Sequence, residues 1–250
     1  MPLMDEFKEE RAKIKEAPLK EKIKYYGYYY RWHAIVVISV IVLLSVWIHD
    51  VVSSKESMFF AAFVNSVSLQ QDNNMEEDFA SYAGIDTGTY DVLIDNTISI
   101  DPNATDEMSV SSSQRMMAYT AAGELDVIVG SDDIFSGYAY NDMFHDLRDI
   151  LSEEQIKTYE PYFYYIDRTV VETINANSSD LDFVMPALPA PTKPEEMEDP
   201  VPVAIIVNDF SRLNDSYYFN GDVTALGVMV NSEHTEYAVS FIDYLFGENR

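Results

Sequence analysis

The sequence contains no cysteine, which excludes a disulfide framework, thiolate metal ligands and a lipid-modified cysteine. It has only 4 histidines, and the two that follow residue 50, His145 and His234, are too few for an imidazole-rich metal site. Glycine is also scarce, at 9 of 250 residues, and neither a Gly-x-Ser-x-Gly turn nor a phosphate-binding glycine loop occurs. The sequence therefore predicts no enzyme activity, no catalytic residue, no metal site and no cofactor.

Basic residues are few: 16 Lys and Arg stand against 43 Asp and Glu, for a net charge of −27. The imbalance belongs to one part of the chain, because residues 1–49 carry +2 and residues 50–250 carry −29. A domain with this charge repels phosphate backbones and anionic lipid surfaces. The composition therefore excludes nucleic acid as a partner and favours cations or basic protein surfaces.

Long apolar runs are absent except for one, AIVVISVIVLLSVWI at residues 34–48. By itself this run is short for a hydrocarbon layer of about 30 Å, at about 1.5 Å per helical residue. Tyrosine and tryptophan on both sides are typical of headgroup depth and extend the run. We therefore predict a transmembrane helix over residues 28–52 that anchors the chain in a lipid bilayer. The alternative is a helix buried in a soluble core.

The distribution of basic residues predicts the orientation of this helix. Eight Lys or Arg residues precede the apolar run, whereas only Lys55 follows the helix within about twenty residues. Basic flanks stay cytoplasmic, so we expect residues 1–27 to form a cytoplasmic arm and residues 58–247 an extracytoplasmic domain of a single-pass membrane protein. The arm is basic and amphipathic, and it is attracted to lipid, is merely solvated, or contacts a partner helix.

After residue 55 the sequence alternates apolar runs with amphipathic segments, which is typical of an α/β layer structure. The predicted strands are residues 58–64, 90–94, 125–130, 181–187, 202–207 and 223–230. The predicted helices are residues 75–84, 112–124, 141–151, 153–159 and 232–247, with Ser112 and Ser232 as candidate caps. Strands continuous in Val and Ile, joined by helical crossovers, predict a largely parallel sheet that is buried on both faces.

Six prolines interrupt this alternation between residues 185 and 202. Such a segment cannot form a helix or an inner strand, so we predict an extended connection over the surface. Apolar runs on both sides favour one continuous domain, and a flexible linker between two domains is the alternative.

Two longer segments resemble extracellular solute-binding proteins of the type II periplasmic-binding fold. In AAGELDVIVGSDDIFSGYAYNDMFHDLRDIL, a helix ends in a small-residue turn, a strand follows, and a loop leads to a DL…L helix. ALGVMVNSEHTEYAVSFIDYLFG resembles the closing strand and helix of that family, and YDVLIDNT resembles the preceding strand. The resemblance implies one lobe of that fold. The chain has no room for the inserted second lobe, which puts hinge capture of a solute in doubt.

Polar residues follow the first three predicted strands at their carboxyl ends. In open parallel sheets ligands approach this edge, because loops and helix N-termini converge there. The candidate ligand-binding residues are Asn65, Ser66, Asp95, Asn96, Thr97, Gly130, Ser131, Asp132 and Asp133. Their hydrogen-bond acceptors favour an ammonium group, a hydroxylated ligand, a cation or a basic partner surface. Alternatively, these residues only terminate strands and cap helices.

Three functions from different classes remain open at this point. The first is a membrane-anchored extracytoplasmic binding or accessory protein of a bacterial cell envelope, with a reduced solute-binding-like domain. The second is a receptor for a small polar or cationic solute, in which a dimer supplies the second wall of the cleft. The third is a structural subunit of an envelope membrane assembly, held by its transmembrane helix and its N-terminal arm.

Overall fold

The computed structural model describes residues 18–53, 55–70, 73–101, 106–180 and 182–247. The chain divides into two compact units, one up to Ser54 and one from Lys55 onward. The described part of the first unit is one helix. The second unit, called the body below, is a mixed α/β domain.

Helix α1 (Leu19–Ser53) makes up the described part of the first unit. It begins at Leu19 rather than at residue 28, and residues 1–17 of the expected arm lie outside the described residues. The large apolar side chains of residues 35–47, called the apolar belt below, are each 48–69% exposed. In the part of the chain that the structure describes, no helix combines the length and the apolar character needed to cross a membrane, so the predicted transmembrane span is not confirmed.

Eight strands are described in the body: β1 (Glu56–Phe63), β2 (Ser66–Ser68), β3 (Tyr90–Asp95), β4 (Val127–Ser131), β5 (Phe163–Asp167), β6 (Pro200–Ile206), β7 (Tyr217–Phe219) and β8 (Thr224–Val228). Six of them form one sheet with the order β3-β1-β4-β8-β6-β5, and β2 and β7 form a separate antiparallel pair. Strand β1 runs parallel to β3 and β4, whereas β8 is antiparallel to β4 and β6, and β5 is antiparallel to β6.

The α/β class is confirmed, but the sheet is mixed rather than largely parallel. Strands β3, β1, β4 and β6 run in one direction, and β8 and β5 run in the other. The strand direction reverses because the chain turns back at the end of the strand that it has just left. Asp167 at the end of β5 lies opposite Pro200 at the start of β6. In the same way, the Val207 N–H after β6 donates to the carbonyl oxygen of Thr224 at the start of β8 at 2.9 Å.

Eight α-helices are described in the body: α2 (Met75–Ala83), α3 (Glu107–Ala122), α4 (Asp132–Ala139), α5 (Leu147–Ile150), α6 (Glu153–Tyr159), α7 (Arg168–Asn177), α8 (Ser211–Ser216) and α9 (Thr235–Phe246). Helices α2 and α6 match the predicted bounds closely, and α6 has a capping box between Ser152 and Gln155. Asp106, rather than Ser112, caps α3, and His234, rather than Ser232, precedes α9.

Two of the predicted elements are wrong. Residues 182–187 contain no strand, and residue 181 lies outside the described residues. The predicted helix over 141–151 shrinks to the four residues of α5, because Asp142 takes a left-handed backbone with φ 59° and ends the preceding turn. The predicted elements have no counterpart for strands β2, β5 and β7 or for helices α4, α7 and α8, and α4 lies where a loop was expected.

Residues 185–199 of the proline-rich segment form the predicted surface connection, but the expected absence of a helix and of an inner strand is wrong in two places. Pro194–Glu196 form a short 3-10 helix, and residues 200–202 begin the inner strand β6. The Tyr165 N–H of β5 donates to the Pro191 carbonyl oxygen at 2.9 Å. The buried Asp167 carboxylate accepts from the N–H groups of Glu198 and Asp199 at 2.8 and 3.2 Å. These contacts bind the segment to the edge strand β5 over much of its length.

Each face of the sheet carries its own apolar core, so the sheet is the middle layer of three. Successive residues of β1 alternate between the two cores: Phe59 and Phe63 belong to one, and Phe60 and Val64 to the other. Residues of α2, α6, α8 and α9 enter the first core, and residues of α3, α4 and α7 enter the second. The predicted burial of both sheet faces is confirmed.

Tyr217, at the start of β7, limits the stability of the body in alkali. Burial in the first place, and then the Glu76 carboxylate, raise the pKa of Tyr217 to about 12 from 10.0. The folded state holds this phenol neutral. Its contribution to the free energy of unfolding is therefore intact below pH ~10 and is lost as the pH rises from about 10 to about 12. We expect Tyr217→Phe to reduce this loss by roughly 1–2 kcal/mol, allowing for solvent screening.

Urea unfolding at a series of alkaline pH values measures the effect. Tyr218→Phe, at the exposed neighbour in β7, controls for the loss of a hydroxyl group. If Tyr217→Phe and the wild type lose stability in parallel above pH ~10, the assignment to Tyr217 is wrong.

Candidate functional site

The carboxyl ends of β1, β3 and β4 meet at one edge of the sheet, because these three strands are parallel neighbours. A depression of about 360 Å³ lies at this edge and is called the polar depression below. It is lined by Asn65, Ser66, Val67, Asn96, Thr97, Ile98, Ser99, Ile100, Asp101, Ser131, Asp133 and Asn220. Six of the nine candidate residues line it: Asn65, Ser66, Asn96, Thr97, Ser131 and Asp133.

Asn65 holds the segment that follows β3 against the end of β1. It adopts a left-handed backbone with φ 56°, a conformation that asparagine tolerates better than most residues. Its side chain donates to the Ile100 carbonyl oxygen at 2.7 Å and accepts from the Ile100 N–H at 2.8 Å. Its own N–H donates to the Ile98 carbonyl oxygen at 2.9 Å. The Asn65 amide therefore shapes the wall of the depression by holding Ile100 in place.

Ser131 and Asp133 belong to the turn from β4 into α4. The buried Ser131 hydroxyl donates to Asp133 Oδ1 at 2.5 Å, and the Asp133 side chain is exposed. A Cβ on Gly221 would lie only 2.7 Å from Ser131 Cβ, so the loop before β8 packs directly on this turn. That close approach brings Asn220 to the rim.

Asp95 lies beside the polar depression and is not among its lining residues. Its Oδ1 accepts from the Thr97 N–H and hydroxyl at 2.9 and 2.6 Å. Its Oδ2 lies 3.3 Å from Arg115 Nη2 of α3, which also donates to Thr97 Oγ1 at 2.9 Å. The carboxylate thus caps a turn and pairs with a cation, which makes it structural.

Gly130 and Asp132 also fall outside the lining. Gly130 is buried in β4, where a Cβ would contact Val64 at 3.6 Å. Asp132 Oδ1 accepts from the Tyr164 hydroxyl at 2.5 Å, and its N–H donates to the Val223 carbonyl oxygen at 2.9 Å. Burial in the first place, and then this hydrogen bond, raise the pKa of Tyr164, so the phenol remains a donor. Asp95 and Asp132 therefore make contacts of the kind that the alternative interpretation expects at turns and strand ends, whereas Gly130 lies within β4.

The charge of the polar depression is negative. Asp101 and the exposed Asp133 contribute carboxylates, and no Lys or Arg stands among the described residues that line it. The remaining lining side chains are mainly amides and hydroxyls. The depression is open and has one wall, so it suits part of a ligand better than a whole enclosed solute.

Four polar residues at or beside the depression were not among the nine: Ser99, Asp101 and Asn220 line it, and Arg115 pairs with Asp95 beside it. Ser99 and Asp101 lie in the segment after β3, just past the predicted polar turn. Asn220 had a usable signal, because Asn-Gly marks a tight turn and stands directly before an apolar run. Arg115 had none, because its role depends on how α3 packs against the end of β3.

Elsewhere, one acid, one histidine and one serine come together around the buried Asp126. The Ser232 hydroxyl donates to Asp126 Oδ1 at 2.6 Å, and His234 Nδ1 lies 3.6 Å from the same oxygen. Burial raises the pKa of Asp126, and the hydrogen bonds from Ser232 and from the Phe60 N–H lower it by less. Because the serine bonds the acid directly, the histidine does not bridge the two as it would in a catalytic triad. The cluster ties β1 and β4 to the turn before α9.

Among the residues that the structure describes, no group of three or more His, Asp or Glu side chains is placed to hold a metal ion. The segments that carry the resemblance to solute-binding proteins form β4–α4 and β8–α9. That resemblance stays a prediction, because no protein-family model, no curated protein and no solved structure matches the chain significantly.

Proposed function

We propose that this protein is a single-pass, membrane-anchored recognition or accessory module, with its N-terminus in the cytoplasm and its acidic body outside the cell. The observation that carries the proposal is the apolar belt of α1, whose large side chains are 48–69% exposed. The belt occupies consecutive positions and therefore surrounds the helix, so packing on one side alone would not cover it. Lipid covers all sides at once.

The flanks of the belt support membrane anchoring. The described belt spans about 20 Å of helix, against about 30 Å of hydrocarbon, so the flanking residues must complete the span. Tyr28, Trp32 and Trp47 are 63–74% exposed, and the Arg31 guanidinium lies 5.5 Å and 5.7 Å from the rings of Tyr28 and Trp32. Aromatic rings with a cation beside them suit the headgroup region. The excess of basic residues before the helix favours a cytoplasmic N-terminus.

The polar depression supports a recognition role for the body. Its carboxylate, amide and hydroxyl oxygens suit a ligand group that carries several N–H donors and a positive charge. An organic ammonium group meets that description, either on a free solute or on the lysine side chain of a partner protein. The depression has one wall, which favours the partner protein, because a solute gains affinity from enclosure.

Membrane fractions of cells expressing the full chain test the anchoring. The chain should resist alkaline carbonate extraction, and protease added outside intact cells should degrade the body while an N-terminal tag stays protected. A body that is cleaved only after the cells are permeabilised would contradict the orientation. Recovery of the chain in the carbonate supernatant would contradict the anchor itself.

Titration of the detergent-solubilised full chain with spermidine and with a lysine-rich peptide tests the recognition site. Asp133→Asn is expected to weaken binding of the preferred probe about fivefold, because one rim carboxylate loses its charge. Glu172→Gln, which removes the same charge at an exposed position of α7, is the matched control. Tighter binding of spermidine would favour a solute receptor, and binding of neither probe would leave a structural subunit as the better account.

A further inference from the structure

An exposed aromatic ring separates two further depressions on the helical face formed by α2, α6, α8 and α9. Tyr82, in the last turn of α2, is 55% exposed and lines both of them. The depressions measure about 570 and about 510 Å³, and together they are called the Tyr82 groove below. None of their lining residues is shared with the polar depression.

The ring of Tyr82 rests on a rigid base. Its centroid lies 5.5 Å from that of Tyr244 in α9, a residue only 4% exposed. The Arg212 guanidinium covers Tyr244 at 4.0 Å and donates to the Tyr244 carbonyl oxygen at 2.6 Å. Tyr244 also contacts Phe79 and Phe241 of the apolar core. Tyr82 therefore packs part of its ring on a buried base, which lowers the entropy that a stacking ligand must remove to order it.

Polar side chains lie on both sides of the ring. The larger depression presents amides, carboxylates and hydroxyls from Gln70, Asn74, Asp78, Ser81, Asp215 and Ser216. The smaller one presents them from Ser152, Glu154, Gln155, Thr158 and Asp243. The Asp243 carboxylate is held in place by Gln155 Nε2 at 3.0 Å and by the Tyr159 hydroxyl. Oxygen acceptors therefore dominate both depressions.

We propose that the Tyr82 groove binds a neutral oligosaccharide. A pyranose ring has an apolar face of C–H bonds that stacks on an aromatic ring, and hydroxyl groups around its edge that donate to carboxylates and amides. One sugar stacks on Tyr82, and its neighbours occupy the two depressions. The groove thus offers both kinds of contact that one sugar ring requires, in alternation along its length.

Charge and lining argue against other ligands. An anion would meet Asp78, Asp215 and Glu154, and would be repelled by the net charge of the body. Arg212 also lines the larger depression, but its guanidinium is bonded to the Tyr244 carbonyl oxygen. A proline-rich peptide also stacks on tyrosine, but it needs a groove walled mainly by aromatic rings. Here the walls are mainly polar, so the peptide serves as an outcome of the test. The inference does not depend on the function proposed for the polar depression.

Saturation-transfer NMR on the full chain in nanodiscs, with cellotetraose and chitotetraose as probes, tests the proposal. We expect saturation of at least one probe, strongest on the C–H protons of the stacking face. Tyr82→Ala should lower its affinity about tenfold or more, whereas Tyr82→Trp should keep it. Tyr218→Ala, at a tyrosine 54% exposed on β7, is the matched control and should bind as the wild type does.

Three results would overturn the proposal. They are absence of saturation with both probes at ~10 mM, equal binding by the wild type and Tyr82→Ala, and binding of a proline-rich decapeptide in place of the sugars. The thermal transition of each variant confirms folding. If Tyr82→Ala does not fold, the pattern of saturated protons on the wild type decides, because uniform saturation contradicts stacking. Failure of the spermidine and lysine-peptide titrations leaves this proposal unaffected, since those probes address the polar depression.

Discussion

Replacing both Ile41 and Leu44 with lysine is expected to move the full chain from the membrane fraction to the soluble fraction. These positions lie on one side of α1 within the apolar belt, and their side chains are 57% and 49% exposed. A lysine near the centre of a membrane helix costs about 2.5–3.5 kcal/mol, so two cost about 5–7 kcal/mol. That cost lowers membrane partitioning by about four orders of magnitude. Fractionation followed by carbonate extraction measures it.

The matched control introduces the same two charges into the body. Val184→Lys with Met185→Lys alters side chains that are 83% and 53% exposed in the proline-rich segment. This pair should leave the chain in the membrane, since neither position belongs to α1. A belt variant that stays in the carbonate-resistant pellet would show that the belt is not what holds the chain there.

Phe241→Ala is expected to destabilise the body by about 3–5 kcal/mol. Phe241 is fully buried in α9, and its ring centroid lies 4.9 Å from those of both Phe59 and Phe79. It therefore fastens α9 to β1 and α2 in the first apolar core, and alanine would leave a cavity among three elements. Urea unfolding followed by far-ultraviolet circular dichroism gives the change in the free energy of unfolding.

Two variants bracket this result. Phe241→Leu keeps much of the volume and should cost clearly less than alanine. Met117→Ala, at a methionine 70% exposed on α3, removes apolar atoms without opening a cavity and should change stability by less than about 0.5 kcal/mol. Equal losses for Phe241→Ala and Phe241→Leu would mean that the lost contacts are specific to the aromatic ring rather than to its volume.

The existence of the inner strands follows from sequence, whereas their directions do not. The inner strands β1, β4, β6 and β8 each coincide with a predicted apolar run, because a strand buried on both faces must be apolar throughout, and the edge strand β3 coincides with another. These continuous apolar runs do not indicate strand direction, because a strand without a polar face carries no pattern that identifies its neighbour. β5 was missed because its FYYID sequence follows other tyrosines and carries no run of Val or Ile.

The site was predictable to the level of its edge, but not to the level of its lining. Asn65, Thr97 and Asp133 meet because parallel strands end together. Each of them follows an apolar run that predicts one of these strands. Asp132 points instead to Tyr164, a residue of the unpredicted strand β5. Asn220 reaches the rim from the segment between β7 and β8; Asn-Gly marks the turn there, but the sequence does not show that this turn packs beside β1 and β4.

The position of β8 has a consequence for how the body is made. It is the last strand along the chain, yet it stands between β4 and β6 in the middle of the sheet. A nascent chain that has not reached Thr224 therefore holds two strand groups with unpaired inner edges, which are open to wrong pairing. The sheet of the body therefore cannot be completed until β8 has been synthesised.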